Sequence, residues 1–98
     1  MKLYKDKELT EEVEVLDLGI VTAGDSKTYT YYLKNDTKQD LTDLKFSIPH
    51  SEVEILRSPE KIEAWGVAEI VIKWSPSITL KKALLTELNI KGFEIYKP

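Results

Sequence analysis

The sequence predicts an all-β domain, an antiparallel β-sandwich of six to seven strands. Three observations carry that prediction. Apolar residues recur with period two in short runs, most clearly Tyr29, Tyr31 and Leu33 against Thr28, Thr30 and Tyr32, which is the pattern of a half-buried strand. Turn chemistry separates the runs at intervals of about 8 to 12 residues, the spacing of two packed sheets. Helical periodicity is nearly absent: only Ile78 to Leu85 admits a turn or two, and its β-branched residues and the Ser75-Pro76-Ser77 sequence oppose even that.

The elements follow in chain order. Residues 1–12 mix Lys, Asp and Glu with Leu3, Tyr4 and Leu9 and form either a loose arm or an edge strand. Residues 13–98 are the expected sandwich domain. Val13 and Val15 carry the apolar phase at first; Leu16, Leu18 and Ile20 then carry it one step out of register. A one-residue slip reverses every side chain, so a bulge or a switch between sheets is predicted near Val15 to Leu16. Thr22-Ala23-Gly24-Asp25 is a turn, and Lys27 to Lys34 is the clearest strand. Asn35 to Asp40 breaks it, and Leu41 to Pro49 resumes with Leu44, Phe46 and Ile48 inward. Val53 and Ile55 mark a short strand, Ile62 a brief extended piece and Glu63-Ala64-Trp65-Gly66 a reversal. Val67 to Trp74 is apolar on both phases, as a central strand would be. The last strand, Leu84 to Tyr96, changes phase between Ile90 and Phe93, which places a bulge at Gly92.

Composition narrows the function. The chain has 98 residues, 42% hydrophobic and 32% charged, which suits one globular domain with a modest core. It has no cysteine, which removes an inter-sheet disulfide, thiolate metal ligation and thiol chemistry. A net charge of −3 and a single arginine, Arg57, argue against a nucleic-acid surface, which needs clustered basic side chains. No apolar run approaches the roughly 20 residues of a bilayer crossing. Met1 to Lys7 lacks the apolar core of a signal peptide, so neither membrane insertion nor ordinary export is expected.

Several segments together carry a family resemblance. They are Leu16-Asp17-Leu18-Gly19 with Val21 and Gly24, Leu33-Lys34-Asn35-Asp36-Thr37 followed by Leu41, Pro59 with Ile62, Ile70-Val71-Ile72-Lys73-Trp74-Ser75-Pro76, and Leu88-Asn89-Ile90-Lys91-Gly92. In this order, from about Val13 to Ile95, the chain resembles the ASH and hydin-like domains. These belong to the major-sperm-protein-like branch of immunoglobulin folds, which has similar modules on bacteriophage particles. The resemblance implies an immunoglobulin-like sandwich that docks or scaffolds in a larger structure. Two features depart from it: Trp65-Gly66 stands where the family usually has Pro-Gly, and Ile78 to Leu85 is too short for the family's extra hairpin.

Candidate sites are few. A nucleophilic triad needs a base beside the nucleophile, and zinc needs several His or Cys ligands, whereas His50 is the only histidine and reads as a solvated turn residue. Asp36, Asp40 and Asp43 lack the spacing of a calcium loop and read as a solvated acidic turn. Asn35-Asp36-Thr37 is a formal glycosylation sequon in which Asn35 reads as a turn former. Trp74 belongs to the core. Trp65 occupies a turn, so it either folds over the sandwich end or anchors a partner. Tyr32 lies on the polar phase of its strand. The arm with Tyr4 and the tail with Tyr96 either close the domain's own sheet or pair with a neighbouring chain.

These readings predict a non-enzymatic module with no cofactor and no metal. Its contact residues would be Trp65, Gly66, Tyr32, Tyr4 and Tyr96, and its partner a protein, namely a capsid or tail protein that it decorates on a bacteriophage virion. The alternative is a cytoplasmic or envelope adaptor that binds protein or peptide by strand addition. Self-association through the same edges is a further expectation.

Overall fold

The computed structural model describes residues 1–95. They are all-β, without a helix, in eight strands: β1 (Lys2–Tyr4), β2 (Leu16–Asp17), β3 (Lys27–Lys34), β4 (Asp40–Ser47), β5 (Val53–Arg57), β6 (Val67–Trp74), β7 (Leu85–Thr86) and β8 (Asn89–Ile95). β1, β3, β6 and β5 make a four-stranded sheet in that order, while β2 with β7 and β4 with β8 make two ribbons. Every pairing is antiparallel.

The centre of the larger sheet is the β3–β6 pair, matched from Lys27↔Trp74 to Lys34↔Val67. Strand alternation sends Tyr31, Leu33, Ile70, Ile72 and Trp74 to one face, and all five are buried. The ribbons, the segment just after β2 and a bridge residue add Leu16, Leu41 and Leu44, Leu18, and Ile62 to the same apolar cluster. Burying each of these large side chains stabilises by about 1.5–3 kcal/mol.

The opening segment takes the edge-strand form, with β1 against the C-terminal end of β3 through Lys2↔Lys34, Leu3↔Leu33 and Tyr4↔Tyr32. The Asp6 carboxylate then closes a loop by accepting the Thr10 and Glu11 amides at 3.0 and 2.8 Å. Val13 N–H donates back to the Leu3 carbonyl at 2.8 Å. Beyond this point the chain leaves the sheet, and Leu16 and Asp17 pair with Thr86 and Leu85 of β7. The phase slip at Val15 to Leu16 is therefore a switch between sheets, with Val15 exposed and Leu16 buried.

Two sequence expectations require correction. Eight strands replace six to seven because the long final strand breaks at Glu87–Leu88 into β7 and β8. The bulge expected at Gly92 lies instead on the partner strand. Thr42↔Phe93 and Lys45↔Lys91 leave Asp43 and Leu44 opposite Gly92 alone. Asp43 takes φ 53, a conformation that aspartate tolerates because its short side chain can hydrogen-bond locally. The slip lets Leu41 and Leu44, three residues apart, both reach the core.

Candidate protein-interaction face

Because Leu33 points into the core, the pleat turns Tyr32 and Lys34 to the opposite, outer face of the four-stranded sheet. Residues paired directly across strands share a face, so Tyr4 joins Tyr32 there, with Glu69 on its other side, and Lys34 sits between Lys2 and Val67. Tyr32, Val67, Ala68 and Glu69, with Lys7 from the Asp6 loop, line a shallow concavity of about 310 Å³. At one end of this face the chain enters β6 through Trp65 and Gly66. The Trp65 side chain is 55% exposed and Val67 is 47% exposed. More than half of Trp65 thus stays open to solvent.

The turn that presents Trp65 is tightly held. Gly66 N–H donates to the Glu63 carbonyl at 2.8 Å, and the Gly66 carbonyl accepts Asn35 N–H at 2.9 Å. A Cβ on Gly66 would lie 2.9 Å from the Glu63 carbonyl oxygen, so this position has no room for a side chain. Trp65 itself takes φ 60, a left-handed conformation that glycine or asparagine normally fills and that is an outlier for a bulky residue. Its carbonyl accepts the Lys34 ammonium, and the neighbouring Ala64 N–H donates to Asp40 Oδ1 at 2.9 Å.

Behind the turn lies Asn35, fully buried. Its Nδ2 donates to the carbonyls of Gln39, Ile62 and Glu63 at 2.7, 3.2 and 3.1 Å. Its Oδ1 accepts Thr37 N–H at 3.1 Å and the Thr37 hydroxyl at 2.7 Å. This one amide ties the Asn35–Gln39 turn to the Trp65 turn. Since the sequon nitrogen is spent on three carbonyls, Asn35 is the turn former expected from the sequence. Its second role, bracing Trp65 from 30 residues away in the chain, has no local sequence signal.

The structure therefore gathers four of the five predicted contact residues, Tyr4, Tyr32, Trp65 and Gly66, at one end of one sheet; Tyr96 lies outside the described residues. It adds Val67, Lys7 and Lys34, which the sequence reading passed over. Signals for the first and last were present, since Val67 opens the strand beside Trp65 and Lys34 shares the phase of Tyr32. Across this face Arg57 meets Glu69 at 3.8 Å. The groups available are aromatic rings, aliphatic side chains, amines and the Arg57–Glu69 pair, a set that binds through area and charge.

The other candidates fall elsewhere. Asp36 meets the Met1 amino group at 2.9 Å, Asp40 braces the Trp65 turn and Asp43 sits in the bulge. Among the described residues, no three His, Cys, Asp or Glu side chains gather as a metal site. His50 needs correction: it is half-buried, its ring edge-to-face with Trp74 at 6.5 Å. Its Nδ1 accepts Glu52 N–H at 3.2 Å, closing the turn before β5.

Comparison of the chain with protein-family models, curated proteins and solved structures finds no match. Its function rests on its own residues.

Proposed function

We propose that this chain is an immunoglobulin-like sandwich that works as a non-enzymatic docking module. Its outer face, centred on Trp65 with Tyr4, Tyr32 and Val67, seats on a protein of a larger assembly. The observation that carries this reading is Trp65: a large aromatic held exposed, in a backbone conformation that opposes it, on a turn braced by Asn35, Asp40 and Lys34. Local rules broken without a folding benefit mark functional positions, and tryptophan is enriched among residues that dominate binding energy.

The immunoglobulin-like assignment draws support from strand order. With β1 and β2 taken as a divided first strand, β1-β3-β6-β5 is the order first, second, fifth, fourth of one immunoglobulin sheet, and β4–β8 matches the central pair of the other. The resemblance of Leu16 to Gly24, Leu33 to Leu41 and Ile70 to Pro76 to modules of bacteriophage particles directs the proposal to a virion, with a capsid or tail protein as partner.

The test is purification of particles from cells that express tagged wild-type chain or Trp65→Ala. Wild type should travel with particles in many copies and the variant should not. Recovery of wild type on one or a few cellular proteins, with none on particles, would replace the virion with the adaptor alternative. Equal recovery of both chains would refute the Trp65 face.

A further inference from the structure

We infer that the open flank of β8 is a strand-addition site for an extended segment of a partner protein, one that turns two apolar side chains inward and, between them, a carboxylate outward opposite Lys91. This edge belongs to the β4–β8 ribbon rather than to the sheet of the Trp65 face, and it stands if that reading fails. Among the described residues β8 pairs with β4 alone, and hydrogen bonds at both ends fix which of its backbone groups look the other way. Leu41 exchanges both of its bonds with Ile62, and Leu44 N–H donates to the Glu60 carbonyl, so these two residues of β4 face away from β8. Thr42 and Lys45 therefore face β8 and meet Phe93 and Lys91. Alternation then turns the N–H and C=O groups of Ile90 and Gly92 to the far flank. Leu84, in the same phase, lies on that flank too, since it bonds to Leu18 and Gly19. β2 covers the flank at Leu85 and Thr86; beyond Glu87 no strand among the described residues does.

The inward side of this flank is apolar. Ile90, opposite Phe46, packs with Leu88 against the core. Leu88 and Ile90 line a groove of about 190 Å³ whose other apolar walls are Leu3, Val13 and Leu33. A strand added antiparallel to β8 would set one side chain beside Ile90 and one beside Gly92, both on the groove side of the ribbon. Lys2, Glu12 and Glu14 also border the groove and are exposed; with charges of both signs there, an uncharged apolar side chain is the one that fits.

The outward side is basic. Lys45 and Lys91 stand directly opposite each other, both exposed, and neither has an ion pair among the described residues. Like charges so placed destabilise a ladder. A carboxylate opposite Lys91 on the added strand continues the same row on the same face and offsets that repulsion, whereas Glu12 and Glu14 border the groove on the other face of β8. The pair also disfavours a second copy of β8 as the added strand. Laid two-fold along the whole flank, with each Ile90 opposite the other copy's Gly92, it would set Lys91 against Lys91, and like charges brought together in this way oppose edge-to-edge association.

The experiment follows amide exchange and chemical shifts by NMR in the full chain. The probes are acetyl-Thr-Val-Glu-Val-Thr-amide, the same peptide with lysine in place of glutamate, and the same peptide methylated on both valine nitrogens. In the free chain the Ile90 and Gly92 amides should exchange fast and those of Asn89 and Lys91, which face β4, slowly. The glutamate peptide at about ten times its Kd should slow Ile90 and Gly92 by about tenfold and shift Leu3 and Val13. It should bind about fivefold more tightly than the lysine peptide, an exposed opposite-charge pair being exchanged for a like pair. The methylated peptide, without its ladder donors, should not bind. Lys91→Glu replaces the like pair with an opposite one, so the fold should persist while the preference between the first two peptides inverts. Slow exchange at Ile90 and Gly92 in the free dilute chain, protection that rises with protein concentration alone, or no protection at millimolar peptide would overturn the inference. So would equal binding of the glutamate peptide and either counterpart, an unchanged preference in Lys91→Glu, or shifts confined to the Trp65 face.

Discussion

Replacing Trp65 with alanine and with glycine separates its side chain from its backbone. Both variants delete the indole, so both should lose the partner alike, by more than about tenfold if Trp65 anchors the contact. They differ in what φ 60 costs. At an ordinary exposed position glycine is less stable than alanine by about 0.5–1 kcal/mol, because it has more freedom to lose on folding. In the left-handed region a Cβ costs about 1–2 kcal/mol, a penalty that alanine keeps and glycine escapes. The order is therefore inverted, with Trp65→Gly more stable than Trp65→Ala by roughly 0.75 kcal/mol at the middle of both ranges. In a 98-residue chain that is a separation of about 3–6 °C in Tm. Urea titration and thermal scans followed by far-ultraviolet circular dichroism measure it directly. Alanine ahead of glycine, the order of an unstrained position, would refute the strained turn and with it the argument that Trp65 is kept for contact.

Gly66→Ala drives a Cβ to 2.9 Å from the Glu63 carbonyl oxygen and should destabilise by about 1–3 kcal/mol, read from the denaturation midpoint. Asn35→Ala removes the donor shared by the Gln39, Ile62 and Glu63 carbonyls, each of which keeps one other donor, and the lost hydrogen bonds should cost about 1–3 kcal/mol; the indole fluorescence of Trp65 should change with it as the turn loosens. Tyr31 is pushed up to about 12, first by burial and then by the nearby Tyr29 and Asp17, while burial and Asp17 also raise Tyr29. The unfolded chain gives up these protons first, so their contribution to stability is complete below pH 10.0 and is lost at higher pH, for Tyr31 as pH rises through about 12. Phenolate absorbance on alkaline titration should show two late-ionising tyrosines, and midpoints that hold steady above pH 10.0 would contradict the burial argument.

Much of this architecture is legible along the chain because side-chain direction in a strand is a local property. Tyr29, Tyr31 and Leu33 announce their face by spacing alone, and so do Ile70, Ile72 and Trp74. The sheet switch after Val15 is readable for the same reason, since a change of phase must have a structural cause. The Gly92 expectation failed where locality fails. Either strand of a pair can take up the extra residue, and here Asp43 does so opposite the glycine. The Leu41 to Leu44 spacing carried that information.

The contact face divides along the same line. The outward direction of Tyr32 follows from its phase, although its neighbours leave it half-buried, and the oddity of tryptophan in a turn is visible in the sequence. Bracing of that turn by Asn35 is not visible, because it depends on two loops far apart in the chain meeting over the core.

By itself, the order of residues determined which side chains turn inward and where the chain reverses, because the pleat alternates every residue and Gly, Pro, Asn and Asp act on their immediate neighbours. Only tertiary structure decided which strands lie together, where β1 stops along β3, and hence that Tyr4 stands beside Tyr32 while one flank of β8 has no partner strand among the described residues. Strand neighbours are set by hydrogen bonds between distant segments competing for the same edges, and no local pattern encodes the outcome of that competition.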